Sequence, residues 1–185
     1  SVVALFAVLP FNTWLAGLND ALPIPESIRA FDQSQMEMVE AVLGNLEISV
    51  GLALVLVALT PALCEEYLFR GYMQRQLERR MPIWAVLVLV GLVFGLYHLR
   101  LPQALPLSFL GAYLAFAVWV TGSLWTGVLL HLLNNGLAVI LMDYAKRNPD
   151  SQVAALEEAT VPWLGAFVSF AIFSAVAWLM LQRRR

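Results

Sequence analysis

Residues 54–99 read LVLVALTPALCEEYLFRGYMQRQLERRMPIWAVLVLVGLVFGLYHL. Two long apolar runs flank a charged centre. A bilayer core needs about 20 mostly apolar residues per crossing, and in lipid the backbone must satisfy its own polar groups, which makes each run a helix. Met81–Pro82 marks the break between them, because proline has no N–H to continue a helix and clashes with the turn before it. The stretch therefore predicts an antiparallel helical hairpin. Glu65, Glu66 and Arg70 fall on its first arm and His98 at the far end of its second. Ionisable groups at such depths are costly, and where they occur they face a protein interior or a wet cavity.

The rest of the chain agrees with a lipid solvent. It is 61% hydrophobic and 13% charged, with mean hydropathy +0.75, against about 25% charged residues in a soluble domain. The single cysteine, Cys64, excludes an internal disulfide and a CxxC metal cluster. A net charge of −2 argues against a nucleic-acid partner. Six stretches approach the length of a span: 1–18, 46–64, 82–99, 103–122, 123–142 and 161–181. The first lacks the basic leader and small-residue cleavage site of a signal peptide. The chain opens on Ser rather than Met, which fits a segment of a longer protein. The expectation is an all-α, polytopic membrane bundle of about six transmembrane helices, one domain over 1–185.

Basic residues set the expected orientation. Arg70, Arg75, Arg79 and Arg80 follow the second span and Arg183, Arg184 and Arg185 the sixth, so those ends should be cytoplasmic. Segment 19–47 carries six acids against Arg29 alone, and segment 143–160 has Lys146 and Arg147 against four acids. Six spans with both termini cytoplasmic satisfy this alternation. Segment 19–45 reads as an interfacial or short external helix entered through Pro23 and Pro25. Gly91 and Gly95 form a small-xxx-small pair suited to close helix contact. Trp84, Trp119, Trp125 and Trp163 lie near span ends, where they would anchor at the interface.

Three polar groups interrupt the spans: Glu65, Glu66 and Arg70; His98; and His131 with Asn134 and Asn135. Glu66 and Arg70 are four apart on one helix face, acid first. Pairing them leaves Glu65 without a local counter-ion. His131 and Asn135 share a face by the same spacing, whereas Asn134 turns away and suits helix–helix bonding. Phe94, one turn before His98, could wall a cavity. Glu65 and His98 are equidistant from the Met81–Pro82 turn, so an unbroken first arm puts them level. His131 lies ~12 Å from its own turn at Gly122–Ser123 and His98 ~24 Å from its turn. All three become level only if the first hairpin projects ~12 Å further on the cytoplasmic side.

A carboxylate beside a neutral imidazole can take a proton from water as that water attacks a carbonyl. A second imidazole and an amide N–H can donate to the oxyanion that forms. The set fits hydrolysis of an amide. Ser49, Ser108, Ser123 and Ser169 lack a GxSxG context. Cys64 adjoins Glu65 but points about 100° away, which fits packing.

The sequence resembles the CAAX prenyl endopeptidase type II and bacteriocin-processing (CPBP, or Abi) intramembrane proteases. Their EExxxR, FxxxH and HxxxN motifs stand here, in order, as Glu65-Glu66-Tyr-Leu-Phe-Arg70, Phe94-Gly-Leu-Tyr-His98 and His131-Leu-Leu-Asn-Asn135, with a family-like core over about 60–140. The resemblance implies a glutamate-dependent endopeptidase of a bacterial plasma membrane, with a cavity open to the cytosol. By the motif match Glu65 and His98 activate water, His131 and Asn135 form the oxyanion hole, and Glu66, Arg70 and Phe94 support them. Two histidines and a glutamate could ligate zinc, but HExxH is absent and no metal or other cofactor is expected. The expected partners are the lipid bilayer and a peptide or lipidated protein substrate of CAAX, leader-peptide or membrane-protein type. Two other functions compete: a non-catalytic scaffold or bacteriocin-immunity protein of the same fold, and a proton-coupled transporter, whose inverted repeat is not visible.

Overall fold

The computed structural model describes residues 2–45, 49–152 and 161–184. Glu47, Glu157, Glu158 and Arg185, which entered the charge argument, lie outside them. Among the described residues the chain is helical throughout, with no strand. Seven helices follow one another among these residues: α1 Val2–Asp20, α2 Glu26–Asn45, α3 Val50–Glu78, α4 Ile83–Tyr97, α5 Ala104–Thr121, α6 Leu124–Arg147 and α7 Trp163–Arg184. Five of them (α1, α3, α5, α6 and α7) are long and apolar enough to cross a membrane.

The third expected span differs. α4 has 15 residues, about 22 Å of helix against a hydrocarbon core of about 30 Å. It stops because His98 caps it and Leu99 turns left-handed, with φ 55°. The hydropathy of 82–99 is uniform and hides that break. The second expected span is longer than 46–64, since α3 runs unbroken to Glu78 and carries the whole EExxxR motif within one helix. It includes two wider, π-type stretches, Leu54–Leu59 and Tyr67–Gln74.

Proline breaks are repaired by side chains from neighbouring helices. Pro10 lies inside α1. One turn away the Ser169 hydroxyl of α7 accepts the Phe11 N–H (3.1 Å) and donates to Ala7 O (2.7 Å). Such hydroxyls are what allow helix breakers within a membrane. At the other end of α1, buried Asn19 donates to Leu101 O (3.0 Å) and accepts from Leu105 N (2.8 Å). It thereby ties α1 to the α4–α5 turn. Gly122 closes α5 in a left-handed conformation (φ 68°), at the turn expected from Gly122–Ser123.

Two apolar clusters hold the bundle. Ala4 and Leu5 of α1 pack with Leu110, Tyr113, Leu114 and Ala117 of α5 and with Leu130 of α6. Phe69 of α3, Val86, Val90 and Phe94 of α4 and Ala115 of α5 form the second. The expected close contact at Gly91 and Gly95 is present. A Cβ on Gly91 would stand 2.6 Å from Ser108 O and 2.8 Å from Ala112 Cβ, and one on Gly95 would meet the Ser108 side chain and lie 2.8 Å from Ala104 O. Trp84, Trp125 and Trp163 are exposed at the starts of their helices. α2 is clamped to the α4–α5 turn by a bidentate Arg100–Asp32 pair (2.7 and 3.2 Å). Cys64, expected to pack, is exposed, because its helix position turns it away from the bundle.

The Gly91 and Gly95 contacts yield a contrast. Gly91→Ala and Gly95→Ala force α4 and α5 apart and should lower stability by about 1–3 kcal/mol. Gly17→Ala, with nothing within 4 Å, should be neutral or gain up to about 1 kcal/mol from helix propensity. Thermal unfolding in one detergent separates the two outcomes.

Candidate active site

α3 supplies consecutive glutamates that point to different surroundings. Glu66 is wholly buried with Arg70, their charged ends 2.6 Å apart. Arg70 also donates to Gly111 O of α5 (2.7 Å), and one turn on Gln74 donates to Ala115 O (3.1 Å). These two bonds form a ladder from α3 onto the carbonyls of α5. The Arg70 guanidinium stands 4.5 Å from the centre of the Phe94 ring, a favourable cation–π arrangement once water is excluded.

Glu65, one residue earlier, is about one-fifth exposed, and its Oε2 is buried without a hydrogen bond among the described residues. It faces two imidazoles. His98 Nε2 lies 3.8 Å away and His131 Nε2 3.9 Å away. The expected levelling of Glu65, His98 and His131 therefore occurs. Gly71 of α3 is level with Leu124 at the start of α6, 3.5 Å from where its Cβ would be. From there α3 continues about 10 Å to Glu78, close to the projection that the sequence required.

Both histidines are oriented from their other nitrogen. His98 Nδ1 is 2.8 Å from Phe94 O; a carbonyl only accepts, so Nδ1 carries the proton and Nε2 of a neutral ring offers its lone pair toward Glu65. His131 Nδ1 is 3.0 Å from Glu66 Oε1, so the buried carboxylate binds Arg70 and His131 through one oxygen. Phe94 lies against both rings, with centroids 4.8 Å from His98 and 5.8 Å from His131.

Asn135 is set apart from this trio. Its amide donates to Val57 O of α3 (3.2 Å), and its own Oδ1 accepts from Asn134 (3.1 Å). Asn134, expected to bond another helix, instead orients its neighbour. Among the described residues no group of three or more His, Cys, Asp or Glu is placed to hold a metal ion.

Sequence reasoning missed three contributors. The His131–Glu66 bond depends on the rotation of α6, which spacing does not reveal. Gln74, four residues after Arg70, had a signal in that spacing. Gly127, four before His131 and so on its face, leaves room for Glu66: a Cβ there would collide with Glu66 Oε2.

No curated protein and no solved structure matches the chain. Residues 47–137 match the family described as Type II CAAX prenyl endopeptidase Rce1-like. That segment contains α3, α4, α5 and the half of α6 that carries His131 and Asn135, and hence every residue of the cluster just described. Over residues 47–137 the chain is a member of the Rce1-like type II CAAX prenyl endopeptidase family of intramembrane proteases.

Proposed function

We propose that the chain is a glutamate-dependent endopeptidase that hydrolyses a peptide bond of a lipidated or membrane-bound protein with water activated by Glu65 and His98. The observation that carries this reading is Glu65 Oε2, without a hydrogen bond among the described residues and 3.8–3.9 Å from two imidazole Nε2 atoms. Two lone-pair bearers side by side, Glu65 Oε2 and His98 Nε2, suit a water that donates one O–H to each. Its oxygen then attacks the scissile carbonyl carbon while Glu65 takes one proton. The tetrahedral oxyanion needs donors. Asn135 has a second amide N–H beyond the one given to Val57. His131 already uses Nδ1–H on Glu66, so it donates from Nε2 only as an imidazolium. On collapse the C–N bond breaks, and Glu65 returns its proton to the leaving amine.

The roles divide between chemistry and support. Glu65, His98, His131 and Asn135 meet the reacting atoms; Glu66, Arg70 and Phe94 hold them. The basic residues Arg75, Arg79 and Arg80 at the far end of α3 favour a cytoplasmic placement of that end. A peptide from a cytosolic tail would reach Glu65 and His98 along their partly exposed edges.

In proteoliposomes with a quenched fluorescent CAAX-type peptide, Glu65→Gln should reduce kcat by about 10²–10⁴, the range for loss of a general base, and His98→Ala should fall in the same direction. Wild-type turnover in both variants would refute the proposal. The supporting pair should respond differently. Arg70→Met strands the Glu66 carboxylate and should cost about 3–5 kcal/mol of stability, read as a large fall in thermal midpoint, whereas Glu65→Gln should leave the midpoint nearly unchanged.

A further inference from the structure

Pro61 lies four residues before Glu65, in the middle of α3. A helix would normally satisfy Val57 C=O with the N–H of residue 61, and proline has none. The turn before it is already widened. Thr60 N–H reaches back five residues to Val55 O, and the Thr60 hydroxyl binds the same oxygen at 2.8 Å. Val57 O, which Pro61 cannot serve, is the atom to which Asn135 Nδ2 donates from α6 (3.2 Å). Small residues permit the approach. Ala58 is fully buried, and a Cβ on Gly136 would lie 4.0 Å from its methyl and 3.7 Å from Leu54. The amide cannot be reversed, since its oxygen has no hydrogen to give a carbonyl, and Asn134 Nδ2 holds the Asn135 oxygen at 3.1 Å.

We infer that Pro61 is a positioning residue, withdrawing the helical donor from Val57 C=O so that this carbonyl fixes the Asn135 amide, whose second N–H is carried one helical turn from His131. The inference rests on the assignment of Asn135 to the oxyanion hole. It places the origin of that donor's orientation in α3, on the same helix as the catalytic carboxylate. A shift of α3 relative to α6 would then move the base and the oxyanion donor together.

Pro61→Ala supplies the missing N–H. In the full chain reconstituted in lipid, the restored helical bond should compete with Asn135 for Val57 O. Turnover should drop by about 10²-fold, the scale for one oxyanion donor, with KM little changed. The thermal midpoint should rise, since proline is unfavourable inside a helix; a merely structural proline would not combine slower turnover with a stabler fold. Pro61→Ala combined with Asn135→Ala should be no slower than Asn135→Ala alone. With ¹⁵N-asparagine labelling, the side-chain amide signal that vanishes in Asn135→Ala should shift in Pro61→Ala. An unmoved signal overturns the inference, as does wild-type turnover of Pro61→Ala when Asn135→Ala is slow, or a double variant slower by the product of the two. Full activity of Asn135→Ala instead refutes the oxyanion assignment, and the amide signal alone then decides whether Pro61 holds the side chain.

Discussion

The Glu66 carboxylate is the point on which the structure turns. It is wholly buried, and one of its oxygens receives both Arg70 and His131. An uncompensated charge there would be untenable, so α3 and α6 must meet at this depth and in this rotation. Arg70 then spends another donor on α5, and the same guanidinium covers Phe94 of α4. Four helices are thereby fixed by one ion pair and its satellites. Buried ion pairs contribute less to net stability than their attraction suggests, but they discriminate strongly against wrong registers. That selectivity is what a lipid-embedded bundle lacks, because apolar side chains pack against lipid nearly as well as against each other.

With Glu66 so engaged, Glu65 is left as the odd carboxylate. The two adjacent acids resemble each other in sequence and differ entirely in surroundings: one dry and bound to Arg70 and His131 through a single oxygen, the other partly exposed and facing imidazoles. Adjacent helix positions diverge by about 100°, enough to send one toward α5 and α6 and the other toward the His98 edge. In the proposed mechanism the doublet divides holding from reacting.

Much of this was legible beforehand. The depth of Glu65 and His98 followed from their equal distances to Met81–Pro82, and the Glu66–Arg70 pair from helical spacing. Both are properties of a single helix or a single turn. What spacing could not supply was azimuth. Whether His131 would meet Glu65, Glu66 or both depended on how α6 rotates about its axis, and Asn135 proved to be tethered to α3 as well as aligned with His131. The end of α4 was hidden for another reason. A leucine, Leu99, occupies the left-handed position, where glycine or asparagine would have announced a stop.

The brevity of α4 reaches beyond the protein. A helix of about 22 Å beside neighbours of up to 24 and 29 residues cannot match the thickness of the surrounding hydrocarbon. Lipids along that flank must compress or the flanking side chains must extend to meet the headgroups, and His98 stands at the foreshortened end. A bilayer thinned along that flank would bring polar headgroups and water nearer to the His98 edge than they would come along a full-length helix. Bilayer thickness would then be coupled to how wet that edge is, with thicker membranes carrying the greater cost of deformation.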